Sequence, residues 1–298
     1  MPARFRRPRV LIVGCGDVGL RVAALLKHSA RVLALTSSSS KTAFLQTSGI
    51  TPLLGNLDQA DTLRRLSGVA THLVHMAPPP LHGSTDPRTQ ALVQALALRT
   101  PPQSVVYGST SGVYGDCQGA WIDETQILQP ATDRAQRRVD AETWLNAWGR
   151  VGGPRVQVLR IPGIYALDRE GGTPKERLLR GTPVLQATDD VFTNHVHADD
   201  LAQATVLSLW RGRPLRPVQV CDDSDLRMGD YMDLAADLWN LARPPRVSRA
   251  QAAQQLPAMT LSFMSESRRM RNERLKQELR MKLRYPTVRE GLQGRADF

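Results

Sequence analysis

The stretch "VLIVGCGDVGLRVAALL", residues 10–26, decides the fold. It opens as a continuous apolar run, which suits a strand buried on both faces. Gly14-Cys15-Gly16-Asp17-Val18-Gly19 follows, and then an alanine- and leucine-rich run that reads as a helix. The glycine spacing is GxGxxG. Between a strand and a helix, the first glycine makes the tight turn and the second lets the backbone approach a pyrophosphate. The third lets helix and strand pack closely, with the helix N-terminus facing the anion.

Working outward, short β-like runs alternate with helical segments through the first half of the chain. Strands are expected at 9–14, 31–35, 71–77, 104–109 and 155–161, with helical segments at "DVGLRVAALLKH", "KTAFLQTSG", "LDQADTLRRLSG" and "DPRTQALVQALALRT". This alternation generates a parallel sheet covered by helices on both faces, so the expected fold is α/β, a Rossmann-type doubly wound sheet. After about residue 160 the pattern loosens into loops, a helix at "HADDLAQATVLSLWRG", a β-like "RPVQVCDD", a helix at "MGDYMDLAADLWNLA" and a basic tail. The expected division is a dinucleotide-binding domain over 1–160, to which 195–222 returns, and a smaller, mostly helical substrate subdomain from 161–194 and 223–298.

Composition narrows the function. The longest apolar runs fall well short of the roughly 20 residues of a membrane span, and the basic, then apolar, start runs into structural glycines without a cleavage pattern. A cytoplasmic protein is expected, with no membrane partner. Cys15, Cys117 and Cys221 are widely separated and offer neither a metal spacing nor a disulfide framework. The formal net charge of +11 raises nucleic acid as a partner. The basic residues are scattered, however, and no nucleic-acid motif accompanies them, so a small-molecule substrate is the stronger expectation. The same charge hints that this substrate is anionic.

About 20 residues past the glycines, an acid at the end of the second strand would bind the ribose 2′-hydroxyl of NAD. Here Thr36-Ser37-Ser38-Ser39-Ser40-Lys41 stands instead. With hydroxyls and a lysine available and no carboxylate to repel a 2′-phosphate, NADP is favoured, with NAD the alternative.

Together, "VGCGDVG", "GNLDQADTL", "HMAPPP", "YGSTSGVYGD", "RIPGIYA", "NHVHADDLAQA" and "YPTVREGL" resemble the extended short-chain dehydrogenase/reductase superfamily over nearly the whole chain. The type is the NAD-dependent epimerase/dehydratase, and the atypical YeeZ-like branch is the most similar. The resemblance implies that Gly14, Gly16, Asp17, Val18 and Gly19 hold the pyrophosphate, and that Thr36, Ser37, Ser38 and Lys41 hold the adenosine ribose. Asn56 and Leu57 match the adenine contact, with asparagine in place of aspartate. Met76, Ala77 and Pro78 would pass the ribose and nicotinamide, and Pro162, Gly163, Ile164 and Tyr165 would run past the nicotinamide. Thr110 matches the catalytic serine or threonine.

The same resemblance implies a tyrosine and a lysine one helical turn apart, YxxxK, on the helix after "VYG". In "ATDRAQRRVDAE", residues 131–142, Arg134 takes the tyrosine position and Arg138 the lysine position, with Glu142 as the closing acid. A guanidinium stays protonated, so Arg138 can supply a fixed charge while Arg134 cannot exchange a proton at neutral pH. Positions 134, 138, 141 and 145 lie on one helical stripe, so both arginines are expected to point inward. Two readings stay open for Arg138: contact with a ligand, or an i,i+4 pair with Glu142. Tyr114 becomes the candidate proton carrier, its pKa lowered by neighbouring arginines; packing beneath the nicotinamide is the alternative for it and for Tyr165, the second candidate.

His195, His197, Asp199 and Asp200 lie close together in sequence but read as the approach to a helix, so no metal site is expected. His75 reads as a wall residue of the cleft. The tail from 265 to 286 reads as one basic helix with Met270, Leu275, Leu279 and Leu283 inward, closing the substrate side. The expected activity is an NAD(P)-dependent oxidoreductase or epimerase-like reaction on an unknown carbonyl, alcohol or nucleotide-sugar-like substrate, by a monomer or homodimer with an altered catalytic set. The rival readings are a non-catalytic dinucleotide-binding sensor or structural protein, and a nucleic-acid-associated protein.

Overall fold

In chain order the elements of the computed structural model, which describes residues 7–294, are β1 (Arg9–Val13), α1 (Asp17–Leu26), β2 (Arg31–Thr36), α2 (Thr42–Thr47), β3 (Thr51–Leu54), β4 (His72–His75), α3 (Pro87–Ala97), β5 (Ser104–Thr110), β6 (Trp121–Ile122), α4 (Asp133–Arg150) and β7 (Arg155–Ile161). There follow β8 (Gly163–Tyr165), α5 (Lys175–Leu179), β9 (Val184–Leu185), β10 (Phe192–Thr193), β11 (His195–His197), α6 (Ala198–Arg211), β12 (Val218–Gln219), β13 (Leu226–Arg227), α7 (Met228–Leu238), β14 (Arg246–Val247), α8 (Arg249–Gln255), α9 (Ala258–Phe263), β15 (Arg269–Met270), α10 (Glu273–Gln277) and α11 (Val288–Gln293).

Seven strands form one parallel sheet in the order β12-β7-β5-β4-β1-β2-β3. The order reverses at β1, which opens a crevice at the carboxyl ends of β1 and β4, where doubly wound sheets bind their ligands. Alternation along each strand feeds two cores. Val10, Ile12, Val32, Ala34 and Val74 pack with α1 and α6 on one face. Leu11, Val13, Leu33, Leu35 and Leu73 pack with α3 and α4 on the other.

Segment 198–219 returns to the sheet, with α6 packed beside α1 and β12 joining β7. Separate apolar clusters hold the C-terminal part, one built on α7, α11 and Tyr165, another on α8, Met228 and Met264. The tail does not form the single helix expected from its periodicity. It contributes the short strand β15, the five-residue α10, and then an irregular stretch in which Arg280 takes a positive φ of 52°. The four spaced apolar residues are nonetheless buried, and Leu275, Leu279 and Leu283 enter the core shared with α1 and α6 instead of covering the substrate side. Among the described residues no helix is long and apolar enough to cross a membrane.

Candidate dinucleotide cleft

The glycine turn can be tested by asking what a side chain would meet at each position. A Cβ on Gly14, whose φ is +89°, would lie 2.3 Å from the Ala77 nitrogen, so this turn is pressed against the end of β4. A Cβ on Gly19 would lie 2.8 Å from the Gly14 carbonyl oxygen, which keeps α1 close to the turn. A Cβ on Gly16 would meet nothing within 4 Å. The backbone at Gly16 therefore faces open space, just ahead of the N-terminus of α1, as an approaching anion requires.

That space is a cleft of about 650 Å³. Thr36, Ser37 and Lys41 with Asn56 and Leu57 line its first end, beyond β2 and β3, Gly14, Gly16 and Asp17 its middle, beyond β1, and Met76, Ala77 and Pro78 its far end, beyond β4. Val18 and Gly19 lie behind the turn, buried in α1. Ser38 does not line the cleft; its hydroxyl bonds that of Ser40, which does, at 2.7 Å. Cys15, Phe44 and Leu45 add apolar wall, and burial pushes the Cys15 thiol up to about 11, so it stays protonated.

One ion pair and one ion-pair network at this cleft escaped the sequence reading. Arg88 forks onto both oxygens of Asp58 at 2.7 Å and donates to the Pro78 carbonyl at 3.2 Å, tying the ends of β3 and β4 together. This carboxylate of the cleft lining is thereby neutralised. Asp17, at the first turn of α1, pairs with Arg21 at 3.1 Å and with Arg169 at 2.6 Å, while Arg21 also reaches Asp168 and Asp199. The spacing of Asp17 and Arg21 at i,i+4 was readable; the loop bearing Arg169 comes from far along the chain.

Helix α4 divides its arginines. Thr132 caps α4 by accepting from the Ala135 amide at 3.2 Å. Arg134 does not point inward as its helical stripe suggested: it is exposed and lies over the Phe263 ring, 4.8 Å from its centre. Arg138 turns inward, and its Nη1 donates to the Gly108 carbonyl at 2.9 Å, the Tyr107 hydroxyl at 3.1 Å and the Ala77 carbonyl at 3.3 Å. It thus bridges the ends of β4 and β5 beside the far end of the cleft. The alternative pair with Glu142 is overturned, because Glu142 is buried against Arg160 at 2.9 Å and accepts from the Ser109 hydroxyl at 2.6 Å.

Tyr114 is a correction. Its ring is fully buried and its hydroxyl accepts from Arg160 Nη1 at 3.0 Å and Gln219 Nε2 at 2.9 Å. Burial raises its pKa, outweighing the arginine that the sequence reading expected to lower it. Tyr165 is likewise turned into a core, where its hydroxyl donates to the Thr287 carbonyl at 3.2 Å, and burial pushes its pKa far upward. Thr110 is half-buried at the end of β5, where its oxygen accepts from the Gly112 amide at 3.3 Å. Pro162 and Ile164 are half-buried and Gly163 exposed, outside the lining of the cleft. His75 is buried and bonds the Thr89 hydroxyl at 2.9 Å, and His197 stacks on Tyr285 at 3.7 Å. Among the described residues no group of three or more His, Cys, Asp or Glu side chains is arranged to hold a metal ion.

No protein-family model and no curated protein matches this chain. Among solved structures, a functionally unknown conserved protein from Silicibacter pomeroyi is 32% identical, with 96% of this chain and 97% of that one covered and a TM-score of 0.80. MoeE5 in complex with UDP-glucose and NAD is 21% identical, with 96% of each chain covered and a TM-score of 0.74. UDP-glucose 4-epimerase from Thermotoga maritima with UDP-glucose is 16% identical over 96% of each chain, with a TM-score of 0.78. The last two share the fold, and the first shares sequence as well: the chain belongs to one family with the Silicibacter pomeroyi protein.

Proposed function

We propose that this chain is an NADP-favouring enzyme of the epimerase and oxidoreductase type, acting on a small carbonyl, alcohol or nucleotide-sugar-like molecule through an altered catalytic set. The observation that carries the reading is the cleft of about 650 Å³ that runs from Thr36-Ser37 and Lys41, past the open side of Gly16, to Met76-Ala77-Pro78. Gly14, Gly16 and the first amides of α1 would hold the pyrophosphate, and Ser37, Ser40 and Lys41 the ribose with its 2′-phosphate. Asp58, already forked by Arg88, leaves no free carboxylate there to repel that phosphate. A nicotinamide bound at the far end would supply hydride transfer.

The chain's own groups would then divide the work. Arg138, held by three acceptors, keeps a fixed positive charge near the ribose and the reacting oxygen. The Thr110 hydroxyl at the end of β5 orients that oxygen. Tyr107, beside Arg138, is buried with its pKa pushed up to about 12 and holds its proton at neutral pH.

A non-catalytic dinucleotide-binding protein is the second reading, favoured by the burial of Tyr114 and Tyr165 in separate cores. Thermal unfolding with NADPH and NADH tests the shared premise, since a ligand at 100 times its Kd adds about 2.7 kcal/mol. Stabilisation by NADPH beyond that by NADH is expected. No shift with either sinks both readings, and a larger NADH shift overturns the NADP preference. Activity on a panel of carbonyls and nucleotide sugars, read both as NADPH oxidation and as formation of the epimeric sugar, and lost in Thr110→Ala, selects the enzyme; inactivity of the wild type by both readouts across the panel selects the binding protein.

A further inference from the structure

At the other end of β1 and β2 lies a second groove, of about 490 Å³. Arg7, Arg9, Lys27 and Arg31 line it, and no acidic residue does. Arg9 and Arg31 are the first residues of adjacent parallel strands and direct register partners, so the fold sets two like charges side by side. Among the described residues none of the four cations enters an ion pair, although most arginines that surround the dinucleotide cleft do. Arg9 Nε donates to the Val69 carbonyl, which fixes the direction of its guanidinium fork. The carbonyl end of α1 contributes only about half a negative charge here, a small offset against four cations. Ala23, Ala30, Val32 and Ile50 form an apolar floor.

We propose that this groove is a second ligand site, which takes a compact phosphoanion of the size and charge of a nucleoside di- or triphosphate. Guanidinium forks match phosphate oxygens in pairs, and Lys27 adds a point charge. A groove of this volume lies in the range of small-molecule sites. The site is separate from the dinucleotide cleft and does not depend on the reading of that cleft.

Isothermal titration with ATP and with inorganic triphosphate tests it on the whole chain, using wild type, Lys27→Gln/Arg31→Gln and Gly16→Val. Lys27 and Arg31 are exposed and Gly16 borders open space, so all three proteins keep the fold. Wild type should bind with an affinity that falls as salt rises. The double variant should bind about tenfold or more weakly, whereas Gly16→Val should stay within about twofold. NADPH stabilisation should show the opposite pattern, kept in the double variant and lost in Gly16→Val. Equal binding of both probes assigns recognition to the phosphates alone, and tighter ATP binding adds the apolar floor. Failure of both probes to bind wild type, undiminished binding by the double variant, or loss in Gly16→Val instead would overturn the proposal.

Discussion

Arg138 and Tyr114 show how a residue's chemistry is set by what it faces. Arg138 finds three acceptors on β4 and β5 and stays at the cleft, whereas the Tyr114 phenol is sealed under Arg160 and Gln219. Tyr114→Phe removes the acceptor of two buried donors, and an unsatisfied buried polar group costs about 1–3 kcal/mol. Urea unfolding should show that loss while NADPH affinity is unchanged; weaker NADPH binding at unaltered stability would return Tyr114 to the site. The glycine turn was legible because its rule concerns local backbone alone. The inward direction of Arg138 was legible from the stripe it shares with Ala141 and Leu145, which misplaced Arg134. Its acceptors were not, because Ala77, Tyr107 and Gly108 meet it only after strands remote in sequence have paired.

At the scale of elements, the strands that carry long apolar runs were readable and β3 was not. "TPLL" is short and contains Pro52, which no central strand accommodates; β3 sits at the sheet's edge, where a missing amide costs little. The tail misled for a related reason. Its apolar spacing fits a helix, but Arg280 at positive φ ends that option, and Arg216 clamps Glu278 at 2.6 Å while Arg211 takes the Leu279 carbonyl at 2.8 Å. The periodicity reported burial correctly and conformation wrongly. Leu275 is fully buried in the core beneath α6, so Leu275→Ala should cost about 2–5 kcal/mol. A helix merely covering the substrate side would predict a raised KM with stability intact, and denaturation midpoints beside substrate titrations separate the two.

For the whole molecule, the main sheet and the smaller C-terminal core share a consequence: His75 in the one and His195 beside the other are sealed in uncharged. Burial lowers His75 to about 3 and His195 to about 4, with Arg138 adding to the shift at His75; both are nearly inaccessible. Folded pKa values below the unfolded 6.5 mean that the unfolded chain takes up protons first as pH falls. The stability these groups contribute is therefore complete above about pH 6.5 and drains as pH drops toward 4. Down to pH 5 each such histidine accounts for up to about 2 kcal/mol. His72 and His197 shift the same way but are less buried and add less after solvent screening. Asp222 works in the opposite sense: burial raises its carboxyl well above the usual range, so protonation as pH falls favours the fold. His195→Phe isolates the histidine contribution, because the ring stacked on Tyr231 at 4.3 Å is kept while a buried, unpartnered Nδ1 is removed. Urea unfolding at pH 7 and pH 5 should show a net loss in wild type of about 2–4 kcal/mol, and a loss smaller by up to about 2 kcal/mol in the variant. Equal losses in both proteins would mean that His195 is protonated within the fold, and the sealed core would then have to admit water beside Tyr231.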